Sequence, residues 1–325
     1  LWDFFFETGF IYPKKYAFIQ TNKETIKETY WKLYTQNPTI ARHFIYQTQG
    51  RIMAHMGMVR LYENAWLIHH HAARKRSLVH AGLTVLNQIG HFIYDSHRLY
   101  SMHMKYLMCY FQPENNFPNS VFGGFARYIN DRSCCSMHDF AYFHLPAPEA
   151  ADSGLPDGWA LDHGNASDME EIGHWYRHQI GGLMLDCLDL DTQMFASAEL
   201  AEEYRRHGFA KERLLLSLHR NNRVQACIII HRTDIGLNLS DLTNCVKILL
   251  IDKRHMSRKI LLKSLRLLYQ KYALNPDMPV LLFPSNFAEQ TAIPVEKNYN
   301  LWILNTRHSD KYFGFLGKMF KLAGK

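Results

Sequence analysis

From Gly158 onward the chain repeats an order of elements that it has already run through once before Pro146. The first pass opens with a short aromatic helix that stops at Gly9, then a helix over 22–34 with Asn22 as N-cap. Three strands follow at 41–50, 51–63 and 64–73, joined by turns at Gln49-Gly50 and Glu63-Asn64. A long helix runs from Val79 to His97. Then come a buried strand at 105–111, a loop and helix over 113–129, and a strand at 136–145. The second pass has a short strand in "GWALDHG" and a helix in "DMEEIGHWYRHQI" with Asp168 as its cap. A helix in "AELAEEYRRHGF" leads to two strands turning at Asn221-Asn222, then a strand at 244–251 and a helix at 255–274. A buried strand in "MPVLLFPSN" and a late strand in "EKNYNLWILNTR" complete it. Between the passes, "PAPEAADSGLPDG" (146–158) is the one clear linker, with no apolar period. Order and lengths match while few residue identities do. A repeat of whole supersecondary order is hard to get by chance. It predicts an α/β fold of the α+β type in two domains, 1–145 and 159–325, each a mostly antiparallel mixed sheet flanked by helices.

Composition narrows the function. The 325 residues are 47% hydrophobic and 21% charged, as in ordinary globular proteins. No apolar run approaches the ~18 residues of a membrane span, so no transmembrane segment is expected. The net charge of +7 is scattered, with Glu202, Glu203 and Glu212 among the basic groups, which argues against a nucleic-acid stripe. The cysteines at 109, 134, 135, 187, 227 and 245 form no C-x-x-C pair and read as reduced, buried thiols of a cytoplasmic protein. The chain opens at Leu1 and runs straight into "WDFFFETGF", so we expect a fragment whose natural start is missing.

The repeated order resembles the GNAT fold of acyl-CoA-dependent N-acyltransferases, in two copies covering nearly the whole chain, the first without its first strand. The resemblance implies an antiparallel meander ending in a strand, and a helix whose N-terminus binds the pyrophosphate of coenzyme A. The next strand splays away, and the pantetheine enters the gap. The whole is also similar to bacterial proteins in which tandem GNAT-like domains follow a PilZ (cyclic-di-GMP-binding) domain. The family's pyrophosphate motif, R-x-x-G-x-G/A, lets backbone N–H groups approach phosphate oxygens at a helix N-terminus. Arg76, Val79 and Ala81 stand at that spacing in the first copy, followed by Gly82. Arg254, Ser257 and Lys259 stand there in the second. Neither motif is intact.

"AWLIHHHAARKRSLVHAG" (65–82) concentrates the candidate chemistry. In a regular strand His69 and His71 share one face and His70 takes the other. Either of the pair could act as general base for an amine, since a near-neutral pKa suits that work. A zinc site would need further ligands that the neighbouring sequence does not offer, so no metal is expected. Structural histidines are the third reading. Arg74, Lys75 and Arg76 fit the phosphates of coenzyme A or a solvated turn. Matching the family by position, Asn115 or Asn116 and Asn286 would contact the cofactor and Tyr128 would act as general acid. "RTDIGLNLSDLTN" (232–244) interrupts a hairpin and reads as turn chemistry or a specificity loop. The tail places Phe313, Leu316, Met319 and Phe320 on one helical face, as a docked terminal helix does.

The resemblance implies transfer of an acyl group from acetyl-CoA or a longer acyl-CoA to a small-molecule or peptide amine. The rival expectation is a degenerate, non-catalytic pair that binds a ligand or regulates. Preference between the copies falls on the first, where Ala81 and Gly82 allow close backbone approach and Lys259 in the second does not.

Overall fold

The structure is a computed structural model of the chain, and it describes all residues except 12, 37–38, 75–77, 146–153, 192–197, 240–241, 273, 275–277 and 324–325. The first half runs α1 (Trp2–Glu7), α2 (Tyr16–Thr21), α3 (Lys23–Gln36), β1 (Ala41–Thr48), β2 (Arg51–Tyr62), β3 (Ala65–Ala73), α4 (Leu78–Ser96), β4 (Tyr106–Phe111), α5 (Asn116–Pro118), α6 (Gly124–Ile129) and β5 (Cys135–His144). The second runs β6 (Trp159–His163), α7 (Ala166–Gln179), α8 (Met184–Cys187), α9 (Glu199–Arg206), β7 (Lys211–Arg220), β8 (Arg223–Thr233), β9 (Val246–Leu250), α10 (Arg258–Tyr272), β10 (Pro279–Phe283), α11 (Asn286–Gln290), β11 (Lys297–Asn305) and α12 (Ser309–Ala323).

Both hairpin turns stand where the sequence puts them. Gln49 and Gly50 have φ of 48° and 74°, and Asn221 and Asn222 have 49° and 63°. Paired left-handed residues twist a two-residue turn the way the strands twist, and Asn and Gly adopt that conformation at least cost. One cap differs from expectation. Asn165, not Asp168, is the N-cap of α7: its Oδ1 accepts from the Asp168 amide at 3.1 Å, and Asp168 Oδ2 accepts from the Asn165 amide at 3.2 Å. Asp168 is the returning half of a capping box. The linker at 146–158 falls mostly outside the described residues.

Among the described residues eleven strands form one sheet in the order β1-β2-β3-β4-β11-β5-β10-β9-β8-β7-β6. Among the described strands only β3–β4 and β9–β10 are parallel, and each of those connections needs the crossover that α4 or α10 supplies. The fold class is thus the expected one, a mostly antiparallel mixed sheet flanked by helices. The strand order is symmetric about the β11–β5 pair, with β4 answering β10, β3 answering β9, β2 answering β8 and β1 answering β7. The strand without a counterpart is β6.

This order contains an exchange that the sequence does not announce. β5, the last strand of the first half, lies beside β10 of the second, and β11, the last strand of the second half, lies beside β4 of the first. The two meet in the middle, from Lys297 opposite Tyr142 to Leu304 opposite Cys135.

One face of the sheet carries a single core through both halves. It takes Leu33 from α3, Ile172 and Tyr176 from α7, and Leu200 and Tyr204 from α9, against Val59, Leu67, Leu301 and Leu249. The other face carries two cores, one under α4 and α12 with Trp66 and Trp302, one under α10 with Phe143 and Ile248. The tail is a docked helix, as expected. α12 rides on α4 at Gly90, where a Cβ would stand 2.6 Å from the Phe313 ring.

Candidate functional site

β3 and β4 begin side by side and then part. They pair only from Ala65–Leu67 against Tyr106–Met108, yet β3 continues to Ala73 and β4 to Phe111, where it keeps its other edge on β11. The parting opens a cavity of about 830 Å³. Its lining comes from both faces of the sheet, with Ile68, Leu83 and Phe122 from the α4 side and Leu67, Tyr142 and Tyr299 from the α3 side. The equivalent strands of the second half stay together: β9 pairs with β10 from Val246–Leu249 against Val280–Phe283, which is nearly all of both. The wedge belongs to the first half.

The three histidines stand at the wedge, but not as strict alternation would place them. The register between β2 and β3 shifts between His55 and Gly57, and neither His70 nor His71 has a partner in β2. His70 sits at φ 52°, the left-handed residue of a bulge. The extra residue turns two neighbouring side chains to the same face. His69 and His70 both meet α3, through Tyr34 and Tyr30, with their own rings 4.0 Å apart. His71 goes to the opposite face, stacked on Phe117 at 4.5 Å and 3.2 Å from where a Cβ on Gly82 would lie. The expectation that His69 and His71 share a face is therefore corrected.

Their roles differ accordingly. His70 is fully engaged: its Nε2 accepts from the Leu239 amide at 2.9 Å and its Nδ1 meets the Tyr30 hydroxyl. His69 Nε2 lies 2.9 Å from the Tyr34 hydroxyl, while its Nδ1 is buried without a partner. His71 Nε2 is likewise buried without a partner. Burial holds all three in the neutral form, pushing His69 down to about 3 and His71 to about 4. Both line the cavity, so each offers it a neutral imidazole at pH 7. Among the described residues no cluster of His, Cys, Asp or Glu could hold a metal ion.

The remaining predicted residues divide. Asn115 and Asn116 line the cavity, Ala81 in the first turn of α4 is fully buried, and Gly82 packs against Phe117 and His71. Arg74 is drawn elsewhere. Its Nε donates to the Ile52 carbonyl at 2.8 Å and its guanidinium pairs with Glu7, pinning α1 to the sheet. Lys75 and Arg76 lie outside the described residues. Tyr128 is 56% exposed, rests on Phe315 and accepts from Lys318 at 3.3 Å, away from the cavity lining. Its position in the sequence suggested a catalytic acid, but the side chain turns to α12. In the second half Arg254 is 83% exposed and closes on Asp252 through Nε and Nη2, at 3.0 and 2.8 Å. Those hydrogen bonds hold the Asp252 carboxyl down at about 2. Ser257 accepts from the Ile260 amide at 3.3 Å as a cap of α10, and Asn286 accepts from Lys253 at 3.1 Å.

Residues from the second half complete the cavity. The segment between β8 and β9 leaves its own half: Ile235 accepts from Thr29 at 2.9 Å, Leu239 accepts from Lys15, and Asn238, Leu239 and Leu242 line the wall. Gly236, at φ 98°, passes so close to α3 that a Cβ would stand 3.1 Å from the Ile26 Cα. Lys297 and Tyr299 of β11 and Tyr142 of β5 form the far wall. Lys297 Nζ lies 5.7 Å from the Tyr142 ring centre, and the two tyrosines meet edge to face at 5.5 Å. Sequence reasoning missed Phe117, Tyr110, Tyr142, Lys297 and Tyr299. The spacing of Lys297 and Tyr299 does mark one face of a strand, but nothing local says that this strand sits beside β4.

No family model matches the chain, and no curated protein matches it in sequence. Solved structures do resemble it. A GCN5-related N-acetyltransferase from Sphaerobacter thermophilus aligns over 87% of this chain and 85% of its own, at 10% identity and a TM-score of 0.45. A tandem GNAT protein from the clavulanic acid biosynthesis pathway aligns over 85% and 86%, at 8% identity and a TM-score of 0.36. A GCN5-related N-acetyltransferase-like protein from Streptococcus suis aligns over 86% and 98%, at 10% identity and a TM-score of 0.35.

Proposed function

We propose that the protein is an acyl-CoA-dependent N-acyltransferase of two GNAT-like copies, 1–145 and 159–325, with its working site in the first. The observation that carries this reading is the wedge: a parallel pair, β3 and β4, joined through a long helix, parts into a cavity that passes through the sheet beside that helix. An acyl-CoA supplies the activated acyl group as a thioester. The start of α4, with Ala81 and Gly82 and with Arg76 just before the helix, takes the pyrophosphate. The acyl end lies at the bulge, where His70 and His71 have no partner in β2, and a backbone N–H released from the ladder there would donate to the thioester oxygen. The amine enters the wedge on the side where His71 lies. Its nitrogen bonds to the acyl carbon, the carbon–sulfur bond breaks, and the proton lost by nitrogen balances the one gained by the thiol. His71 Nε2, a neutral acceptor without a partner, receives that proton as the new bond makes the nitrogen acidic. The six thiols, all buried and unbridged, fit the cytoplasmic setting expected from their spacing.

The second copy has a different reading. Its strands do not part, and its arginine is closed on Asp252. We take it as a degenerate, non-catalytic copy whose loop and last strand furnish walls for the first.

Titration with acetyl-CoA and longer acyl-CoAs, followed by thermal unfolding, tests the proposal. A ligand at ~100 times its dissociation constant adds about 2.7 kcal/mol of stability. No stabilisation by any acyl-CoA would remove the transferase reading.

A further inference from the structure

His69 stands where β3 still holds β2 but no longer holds β4. It pairs with Gly57 of β2, whereas the pairing of β3 with β4 ends at Leu67. Gly57 decides how the imidazole lies. A Cβ there would stand 2.7 Å from the Tyr34 hydroxyl, 3.1 Å from His69 Nε2 and 3.2 Å from His69 Cδ2. The bare backbone at 57 thus leaves room for Tyr34 to reach Nε2 from α3, at 2.9 Å. It also shows which way the ring faces. The edge made by Nε2 and Cδ2 lies against β2, so Nδ1, on the opposite edge, is turned toward the side from which β4 has parted. His69 is 8% exposed and lines the cavity there, and its Nδ1 is buried without a partner.

Counting hydrogen bonds decides which nitrogen carries the proton. Burial keeps the ring neutral, so one nitrogen donates and the other accepts. A proton on Nε2 would be given to the Tyr34 oxygen and would leave two groups unsatisfied. One is the Tyr34 hydroxyl hydrogen, which has no second acceptor among the described residues, and the other is Nδ1. With Tyr34 donating to Nε2, only the Nδ1–H is unsatisfied. Buried polar groups left unpaired are costly, so the second arrangement is favoured. His70 offers no such group, since both its nitrogens are engaged, by Leu239 and Tyr30. His71 lies on the opposite face.

We propose that His69 is a catalytic residue of opposite polarity to His71: its Nδ1–H donates to the thioester carbonyl oxygen, as a second donor beside the backbone of the bulge. Tyr34 is the positioning residue that fixes the tautomer. The bond strengthens as attack by the amine places negative charge on that oxygen. His69 keeps its proton throughout, and His71 takes the one the amine loses. This assignment rests on the transferase reading, and its failure can be told from the failure of that reading.

Two unreactive ligands separate the carbonyl contact from the rest of the cofactor. Acetonyl-dethio-CoA keeps the carbonyl and has a methylene for the sulfur, and S-ethyl-CoA has no carbonyl. Calorimetry compares them on the wild-type chain, His69→Leu, His69→Asn and Tyr34→Phe. Wild type binds the ketone about 10-fold more tightly than the thioether, the scale of one buried donor finding its acceptor. His69→Leu abolishes that preference while thioether affinity stays within threefold. His69→Asn, whose amide supplies an N–H, keeps part of it, and Tyr34→Phe lowers it. Nitrogen NMR of isotope-labelled wild type, with His69 assigned by its absence from His69→Asn, shows the proton on Nδ1. That spectrum and the wild-type comparison decide the matter even if His69→Leu does not fold. A proton on Nε2, equal binding of ketone and thioether, or a preference that survives His69→Leu overturns the proposal and leaves the transferase reading standing. If neither ligand binds, the transferase reading falls, and this assignment with it.

Discussion

His71 lies flat against Phe117, ring centres 4.5 Å apart and planes 18° from parallel, at the wedge between β3 and β4. The contact fixes the imidazole and leaves Nε2 without a protein partner. A Phe at position 71 keeps the stack and removes the nitrogen. His71→Phe should therefore retain acyl-CoA affinity within a few-fold and lose ~10²-fold or more in kcat/KM, the usual scale for a proton acceptor. An activity within threefold of wild type would assign His71 a purely structural role.

The two arginines should respond differently to charge reversal. Arg76→Glu is expected to weaken acyl-CoA binding at least 10-fold, the scale of one lost charge-assisted hydrogen bond, about 1.5–3 kcal/mol. Arg254 is occupied by Asp252 on an exposed loop, so Arg254→Glu should leave affinity unchanged. Fluorescence titration of both variants checks this, and loss only in Arg254→Glu would move the site to the second half.

Acid should unfold the protein early. His55, His69 and His138 are buried and pushed down to about 3, and His71 to about 4, against about 6.5 in an unfolded chain. Between those values the unfolded chain binds more protons than the folded one, so stability falls as pH falls. It is complete above about pH 6.5 and declines by up to about 1.4 kcal/mol per pH unit for each such histidine. Urea midpoints measured from pH 7 to pH 4.5 should drop steeply, with His71→Phe showing a shallower slope. A flat profile over that window would contradict the burial of these rings.

Neither half should fold by itself. Residues 1–145 alone would leave β4 and β5 without the strand that lies between them, and residues 159–325 would leave β10 and β11 without β5. Unpaired strand edges of this kind aggregate. The separate halves should be insoluble or unfolded by circular dichroism, and mixing them should recover structure. A monomeric, cooperatively folded 1–145 would show that the exchange is dispensable.

What could be read from the sequence follows the range of each interaction. The hairpin turns at Gln49-Gly50 and Asn221-Asn222, the strands they join and the helix over Leu78–Ser96 are set by local residues, and they stand as expected. The position of the histidines at a strand end was also readable. Three consecutive histidines carry no period, however, so the bulge at His70 could not be seen, and it decides which face His71 takes. β5 and β11 read as buried strands whichever neighbour they have. Their exchange is written only in long-range pairing, and with it the far wall of Tyr142, Lys297 and Tyr299. Tyr128 shows the opposite error, since a matching position in the chain says little about where a side chain on a short helix points.

The exchange of β5 and β11 also sets an order in time. A chain leaves the ribosome from its N-terminus, and early segments begin to fold before later ones exist. The bulge, the histidines and the start of α4 are all made within the first hundred residues, but Lys297, Tyr299 and Met319 of the same cavity come at the far end. A nascent or prematurely terminated chain thus holds half a pocket with an open edge at β4. The site is finished only when nearly the whole polypeptide has been made, so an incomplete product would be inactive and left to degradation.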